Sequence, residues 1–236
     1  MNTDTDTFPV KSLPMLLDKT MEIQSYIRTL SYIQARKLWN CNDNLARLNY
    51  ERHQNMDLRR NLTPAVIAYE GIQYQYMAPV VFTEKALRYI DSHLFILSGF
   101  YGVLRPFDGV TPYRLEMQAK ARVKGTKDLY AFWGDSLYRC VTDGDPVILN
   151  LASGEYAKCI KAFARPDDIF ITCVFGEKKD GKIVQKGTQA KMARGEMVRY
   201  LAEGQIETTE QIKDFRGLGY SFEENLSSER EFIFLK

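Results

Sequence analysis

The sequence is poor in the residues from which metal sites and nucleophilic active sites are usually built. Its 236 residues include four cysteines and two histidines. The cysteines are widely spaced and have no C-x-x-C pair and no nearby histidine, which argues against a zinc site of that kind. Because His53 and His93 are the only histidines in the sequence, it offers few candidate residues for a Ser-His-Asp triad or a two-histidine iron site. We expect both histidines at helix surfaces or helix ends, four reduced thiols of which Cys159 and Cys173 are small buried side chains, and neither metal nor cofactor.

Long apolar runs and nucleotide-binding motifs are also missing. No run approaches the roughly 20 residues that a membrane span requires, and the polar, acidic start MNTDTDTFPV is unlike a signal or transit peptide. We therefore expect a cytosolic protein with no membrane partner. The absence of a Walker A pattern and of G-x-G-x-x-G argues against a nucleotide-hydrolysing or dinucleotide-binding fold.

Hydrophobic residues make up 45% of the chain and charged residues 26%, which is typical of a folded globular protein. The length suits one compact domain, and no internal repeat or linker suggests a boundary. We predict a single domain over residues 1–236.

Apolar spacing predicts helices through the first quarter: one from Leu13 to about Arg28, a second capped by Ser31 and a third capped by Asp43. Another follows Thr83. Later segments alternate between helical patterns, at 128–141 and 188–204, and short β-branched or aromatic runs typical of strands, at 95–99, 113–117, 146–151, 169–177, 182–187 and 231–235. An Asp-Gly pair at 180–181 predicts a hairpin. The fold class is therefore α+β, with a mixed β-sheet flanked by helices and a helical N-terminal quarter.

The net charge is only +2, but it is unevenly distributed. Residues 98–127 carry a local charge of +4 and residues 158–199 one of +5. If these two segments meet in the fold they form a positive surface that suits an anion or a nucleic acid. On charge alone, solvated faces are the simpler interpretation.

Three segments carry candidate chemistry. The first, residues 97–117, is a long loop rich in Gly and Pro, in which a strand over 113–117 would place Arg114 and Glu116 on one face. Such a pair could orient a substrate or be a simple surface ion pair.

The second is LNLASGEYAKC, a strand-to-helix turn whose amides can hold an anion, with Asn150, Ser153 and Glu155 at its mouth. A capping serine explains Ser153 equally. The third is TQAKMARGEMVRY, where Lys191 and Arg194 project from one helical face.

Taken in order, the segments AYEGIQYQYM, LSGFYGVLRPFDGVTPYRLEM, DLYAFWGDSLY, LNLASGEYAKC and AKMARGEMVRY resemble the bacterial YaaA family of peroxide-stress proteins. The resemblance extends from about Leu13 to the final FEENLSSEREFIFLK. It implies a cytoplasmic protein, induced by hydrogen peroxide, that keeps unincorporated iron low and limits oxidative DNA damage. It also implies DNA binding through a positively charged cleft and a helix-hairpin-helix-like element.

Carried onto this sequence, the resemblance implies a cleft lined by the polar members of the matched motifs: Tyr74, Ser98, Arg105, Tyr113, Arg114, Glu116, Asn150, Ser153, Lys191 and Arg194. The helix-hairpin-helix counterpart would be LSYIQARKLW and DNLARLNYERH, joined by Asn40 to Asp43, a connection without the usual glycines. Relatives begin with a short strand followed by Ser-Pro-Ala-Lys, so we expect that first strand to be missing here.

Two functions remain open. The leading hypothesis is a DNA-binding stress-protection protein whose Arg and Lys contact phosphates, with Tyr74, Tyr113 or Phe107 stacking on unpaired bases. The alternative is an enzyme acting on a small anionic, nucleotide-like or nucleoside-like ligand, with Arg105, Arg114 and Lys191 holding the anion and Glu116 as general acid or base. Direct iron chelation is the weakest reading, because two histidines and scattered acids do not suggest an iron site.

Overall fold

The structure is a computed structural model that describes residues 1–142 and 147–236. The helices within these residues are α1 (Leu17–Thr29), α2 (Tyr32–Trp39), α3 (Asp43–Asn55), α4 (Ala65–Ala68), α5 (Ile72–Met77), α6 (Glu84–His93), α7 (Leu129–Trp133), α8 (Ser136–Val141), α9 (Gly154–Lys161), α10 (Gly187–Gly204) and α11 (Thr209–Ile212). The strands are β1 (Thr63–Pro64), β2 (Ile96–Ser98), β3 (Gly102–Leu104), β4 (Gly109–Val110), β5 (Val147–Asn150), β6 (Ile169–Lys179), β7 (Lys182–Val184), β8 (Ser221–Phe222) and β9 (Glu231–Leu235).

Contacts group these elements into two compact units. The first comprises residues 1–68, 95–142 and 153–163, and the second comprises residues 69–94, 147–152 and 164–236. The predicted α+β class, with a mixed sheet and a helical N-terminal quarter, is confirmed. Within the described residues, no helix has both the length and the apolar character that crossing a bilayer requires.

Local sequence signals explain where many helices of the first unit begin. The Ser31 hydroxyl and the Gln34 side chain form a reciprocal capping box on α2, as the sequence predicts for Ser31. Asn42 caps α3 by accepting from the Leu45 amide, so the cap is one residue earlier than the predicted Asp43. The first helix starts at Leu17 rather than Leu13, a turn later than predicted.

The first unit has an aromatic centre. The ring of His53, in the last turn of α3, stacks on Trp39 at 5.5 Å between centroids and meets Phe100 edge-on at 5.2 Å. His53 thus lies at a helix end, one of the two predicted placements, but the alternative of a surface position is wrong because its side chain is 0% exposed. His93, the last residue of α6, is at a helix end as predicted.

The second unit is a sheet covered on one face by α10. Its strand order is β5-β6-β9-β8, with β7 paired to β6 as a hairpin across the positive-φ residues Asp180 and Gly181, as predicted. Strands β5, β6 and β9 are parallel, whereas β8 and β7 are antiparallel to their neighbours. The strand predicted over 146–151 is confirmed at 147–150, and Pro146 lies outside the described residues.

The core of the second unit joins the sheet to α10. It contains side chains from the strands, from α10 and from the segment after it: Ile171, Cys173, Phe175, Ala193, Met197, Leu201, Ile206, Ile212, Phe215, Tyr220, Phe232 and Phe234. On its other side α10 crosses α5 so closely that a Cβ built on Gly195 would lie 2.0 Å from the Gln73 carbonyl oxygen. Only glycine permits this approach.

Candidate functional site

In the first unit, Ser98 closes the turn that follows β2. Its hydroxyl accepts hydrogen bonds from the amides of Phe100, at 3.1 Å, and Tyr101, at 2.8 Å. It also lies 2.6 Å from the Tyr113 hydroxyl. Ser98 is 1% exposed, so its oxygen serves both as the acceptor of the turn and as the partner of Tyr113. Two of the predicted site residues are therefore in direct contact.

The segment after Tyr113 crosses this turn over Gly99. A Cβ on Gly99 would lie 2.5 Å from the Leu115 carbonyl oxygen and 2.9 Å from the Met117 amide nitrogen. The predicted strand over 113–117 is wrong: these residues have no regular structure, because their backbone packs on the Gly99 turn rather than pairing with a strand.

Arg114 and Glu116 nevertheless meet as the sequence suggests. Arg114 Nη2 lies 3.2 Å from Glu116 Oε1, with the Arg114 side chain 34% exposed and the Glu116 side chain 52% exposed. The Arg114 Nε is buried and has no hydrogen-bond partner within the described residues. The Nη2 end of the guanidinium thus contacts Glu116, while the buried Nε keeps an N–H donor that is not used within the described residues.

Arg105 opens a tight turn that Asp108 organises. The Arg105 amide donates to Asp108 Oδ2 at 2.8 Å, and the buried Asp108 also accepts from the Ser12 hydroxyl. The Arg105 side chain is exposed. The idea that Phe107 stacks on a base is wrong, because that ring is only 3% exposed and packs edge-on against Phe8.

The amino-terminal turn of α9 braces the Arg114–Glu116 segment from within the first unit. Glu155 Oε1 accepts a hydrogen bond from the Gln118 amide at 3.1 Å. Burial strongly raises the pKa of the neighbouring Tyr156, which also bonds to the backbone of Met117. Ser153 occupies the N-cap of α9, and its side chain makes no capping bond within the described residues.

The second unit holds the other four predicted residues. Asn150 ends β5, where its side chain donates to Thr172 Oγ1 at 3.2 Å and accepts from the Ala152 amide at 3.0 Å. It is 8% exposed, so its amide is committed to closing the strand. The ring of Tyr74 on α5 is half-buried and stacks on Tyr69 at 5.1 Å.

Lys191 and Arg194 lie on α10, as predicted. Lys191 is exposed, whereas Arg194 is half-buried and has a buried Nε without a partner in the part of the chain that the structure describes. Burial lowers the pKa of Arg194, and the guanidinium interacts electrostatically with the buried Cys173. Sequence patterns could not predict this neighbour, because Cys173 lies on β6 and Arg194 on α10.

The predicted helical hairpin forms in the first unit. Asn40 ends α2 in the left-handed conformation, with φ of 43°, and Asn42 caps α3. The Tyr32 hydroxyl donates to Asp43 Oδ1 at 2.6 Å and ties the two helices together. Asparagine thus supplies the tight turn for which other hairpins use glycine.

The potential metal-ligating residues and the cysteines are dispersed among the residues that the structure describes. Within residues 1–142 and 147–236, no group of three or more His, Cys, Asp or Glu is placed to hold a metal ion. The four cysteines are unpaired with one another, and Cys159 and Cys173 are buried as predicted.

Comparison with known proteins gives a consistent result. The sequence model of a family described as "Peroxide stress protein YaaA" matches residues 1–226. A UPF0246 protein of Lachnoclostridium phytofermentans is 53% identical over 231 residues, which are 98% of this chain and 91% of that protein. UPF0246 proteins of Agathobacter rectalis and Desulfitobacterium hafniense are 52% and 50% identical, over 99% and 100% of this chain and 94% of each relative.

Proposed function

The chain belongs to the peroxide stress protein YaaA family, and from that membership we propose that it is a cytoplasmic protein that protects DNA under peroxide stress. In this proposal it binds DNA directly and contributes to keeping unincorporated iron low. The second effect is indirect, since no cluster of metal-ligating side chains is found among the described residues.

The observation that carries DNA binding is a set of exposed cations without carboxylate partners in the first unit. Arg105, Lys120, Arg122 and Lys127 are exposed and make no ion pair within the described residues. In contrast, Lys124 in the same segment pairs with Glu22 at 2.7 Å. An unpaired cation contributes more to DNA affinity than a paired one, because it can contact a phosphate without first breaking an ion pair within the protein. Each such contact releases counterions from the DNA.

The test is fluorescence anisotropy with labelled duplex and junction DNA over a salt series. The variant combines Arg105→Ala, Arg122→Ala and Lys127→Ala. Its charge-matched control combines Lys178→Ala, Lys179→Ala and Lys182→Ala, three exposed lysines of the β6–β7 hairpin. We expect the first triple variant to reduce the slope of log K against log salt by about 3, and the control by less than about 1.

A second candidate function has its own supporting observation. The Ser98 and Tyr113 hydroxyls are hydrogen-bonded to each other, and Tyr113 is followed directly by the Arg114–Glu116 ion pair. The Arg114 Nε has an N–H donor without a partner within the described residues. This arrangement suits a small nucleotide-like anion, with Arg114 as its anchor and Glu116 as general acid or base. A nucleotide and nucleoside panel, followed by calorimetry on Glu116→Gln and Arg114→Ala, tests this reading. Absence of DNA binding by folded protein, together with saturable ligand binding lost in Arg114→Ala, would favour the enzyme.

A further inference from the structure

A pocket of about 480 Å³ lies in the second unit, at the amino-terminal ends of β6 and β9. Ile169, the first residue of β6, and Phe232, the second residue of β9, are among the residues that line it. Lys213, Glu224 and residues 227–230 also line it. None of the residues that carry the proposed function lines this pocket, and its volume is in the range of small-molecule sites.

The pocket already holds an ammonium group. Lys213 Nζ lies 5.5 Å from the centroid of the Phe222 ring and 5.7 Å from that of Phe232. It also lies 2.8 Å from Glu210 Oε2. Two aromatic faces and a carboxylate form the environment that proteins use to bind organic cations. The Lys213 ammonium therefore lies in an environment that suits a positively charged amine.

The charge of the lining favours cations beyond Lys213. Five carboxyl side chains line the pocket, against the two basic residues Lys213 and Arg230, which leaves a net charge of −3; the acids are Asp167, Asp168, Glu210, Glu224 and Glu229. Asp167 and Glu229 make no ion pair within the described residues. This excess charge would repel an anion.

The carboxylates are spread around the pocket rather than gathered at one point. No three of them form a group able to hold a metal ion within residues 1–142 and 147–236. Separated negative charges with apolar surface between them, here Ile169, Phe222 and Phe232, suit a ligand whose positive charges are separated by methylene groups.

From the aromatic cage and the dispersed carboxylates we propose that this pocket binds an aliphatic polyamine. One ammonium lies over Phe222 and Phe232 against Glu210, its methylene chain packs on Ile169, and a second ammonium reaches Glu224. Lys213 is an internal competitor for the cage, and it moves aside when the polyamine enters.

The test is calorimetric titration of the full chain with spermidine at low salt. We expect saturable binding of one equivalent, weakened about three- to tenfold in Glu210→Gln and in Glu224→Gln. Lys213→Met removes the competing ammonium and keeps its apolar stem, so it is expected to tighten binding by a similar factor. Glu203→Gln is the matched control, because Glu203 is an α10 carboxylate paired with Arg199 and lies outside the pocket.

Three results would overturn the proposal. The first is no binding of spermidine by folded wild-type protein at low salt. The second is equal weakening in Glu203→Gln and the two pocket variants, which would indicate attraction by overall charge. The third is weaker spermidine binding in Lys213→Met, which would show that the Lys213 ammonium does not compete with the polyamine for the aromatic rings. Circular dichroism confirms the fold of each variant, and the exposed positions of Glu210 and Glu224 make these two substitutions the least disruptive.

Discussion

Replacing Gly195 with alanine sets two effects of opposite sign against each other. In the middle of a helix, alanine is favoured over glycine by about 1 kcal/mol, so propensity alone predicts a more stable α10. The new Cβ would lie 2.0 Å from the Gln73 carbonyl oxygen and 3.0 Å from the Met77 amide nitrogen. Both are backbone atoms of α5, so α10 and α5 must separate by more than 1 Å, which costs about 3 kcal/mol or more.

The expected net result for Gly195→Ala is a loss of about 2 kcal/mol in the free energy of unfolding. Gly187→Ala is the matched control, because Gly187 begins the same helix and a Cβ there meets nothing within 4 Å. It is expected to stabilise the protein by about 0.5 kcal/mol.

Urea unfolding followed by far-UV circular dichroism measures both variants. Both tryptophans, Trp39 and Trp133, lie in the first unit, so their fluorescence reports that unit separately. A Gly195→Ala protein as stable as wild type would refute the argument from close helix approach, as would equal destabilisation by Gly187→Ala.

Three further predictions concern other residues. Ser98→Ala removes the acceptor of two buried amides and is expected to lower the free energy of unfolding by about 2–4 kcal/mol in urea titrations, with wild-type stability as the contrary result. Burial lowers the pKa of His53 to about 4 in the folded protein, against 6.5 for the free side chain. Between these two pH values the unfolded chain binds a proton at His53 that the folded protein does not. The contribution of His53 to the free energy of unfolding is therefore fully present above pH 6.5 and falls by about 2–3 kcal/mol between pH 6.5 and pH 4. His53→Phe, measured over the same pH range, should remove that part of the slope. Burial raises the pKa of Cys159 and of Cys173 to about 12, so mass spectrometry after iodoacetamide at pH 8 should find Cys41 labelled in the native protein and these two only after unfolding.

Local chemistry made much of the fold predictable. The Ser31 and Thr83 caps start α2 and α6 where their side chains can accept from the third helical amide. The Asp180-Gly181 turn gives the β6–β7 hairpin, because both residues adopt positive φ. The long pattern at 128–141 forms two helices rather than one, since Gly134 adopts φ of 54° between them.

Tertiary contacts explain what the sequence could not reveal. The run YRLEM has strand-like composition, but its backbone packs closely against Gly99, which has no side chain to prevent that approach. Glu155 of α9 also accepts a hydrogen bond from the Gln118 amide, just after this run. The pairing of Arg114 with Glu116 was foreseeable from their spacing of two. The contacts of Glu155 and Tyr156 with residues 117–118 could not be predicted, because they depend on the tertiary packing of α9 against that segment.

The position of β9 has a consequence for the synthesis of the protein. Residues 231–235 form a strand between β6 and β8, and four of the five are buried. During translation, β5, β6 and β7 leave the ribosome with the β9 edge of β6 unpaired until residue 235 has been made. Over that interval this edge of β6 has unpaired backbone groups that another chain can pair with, so pairing with β9 also protects β6 from association.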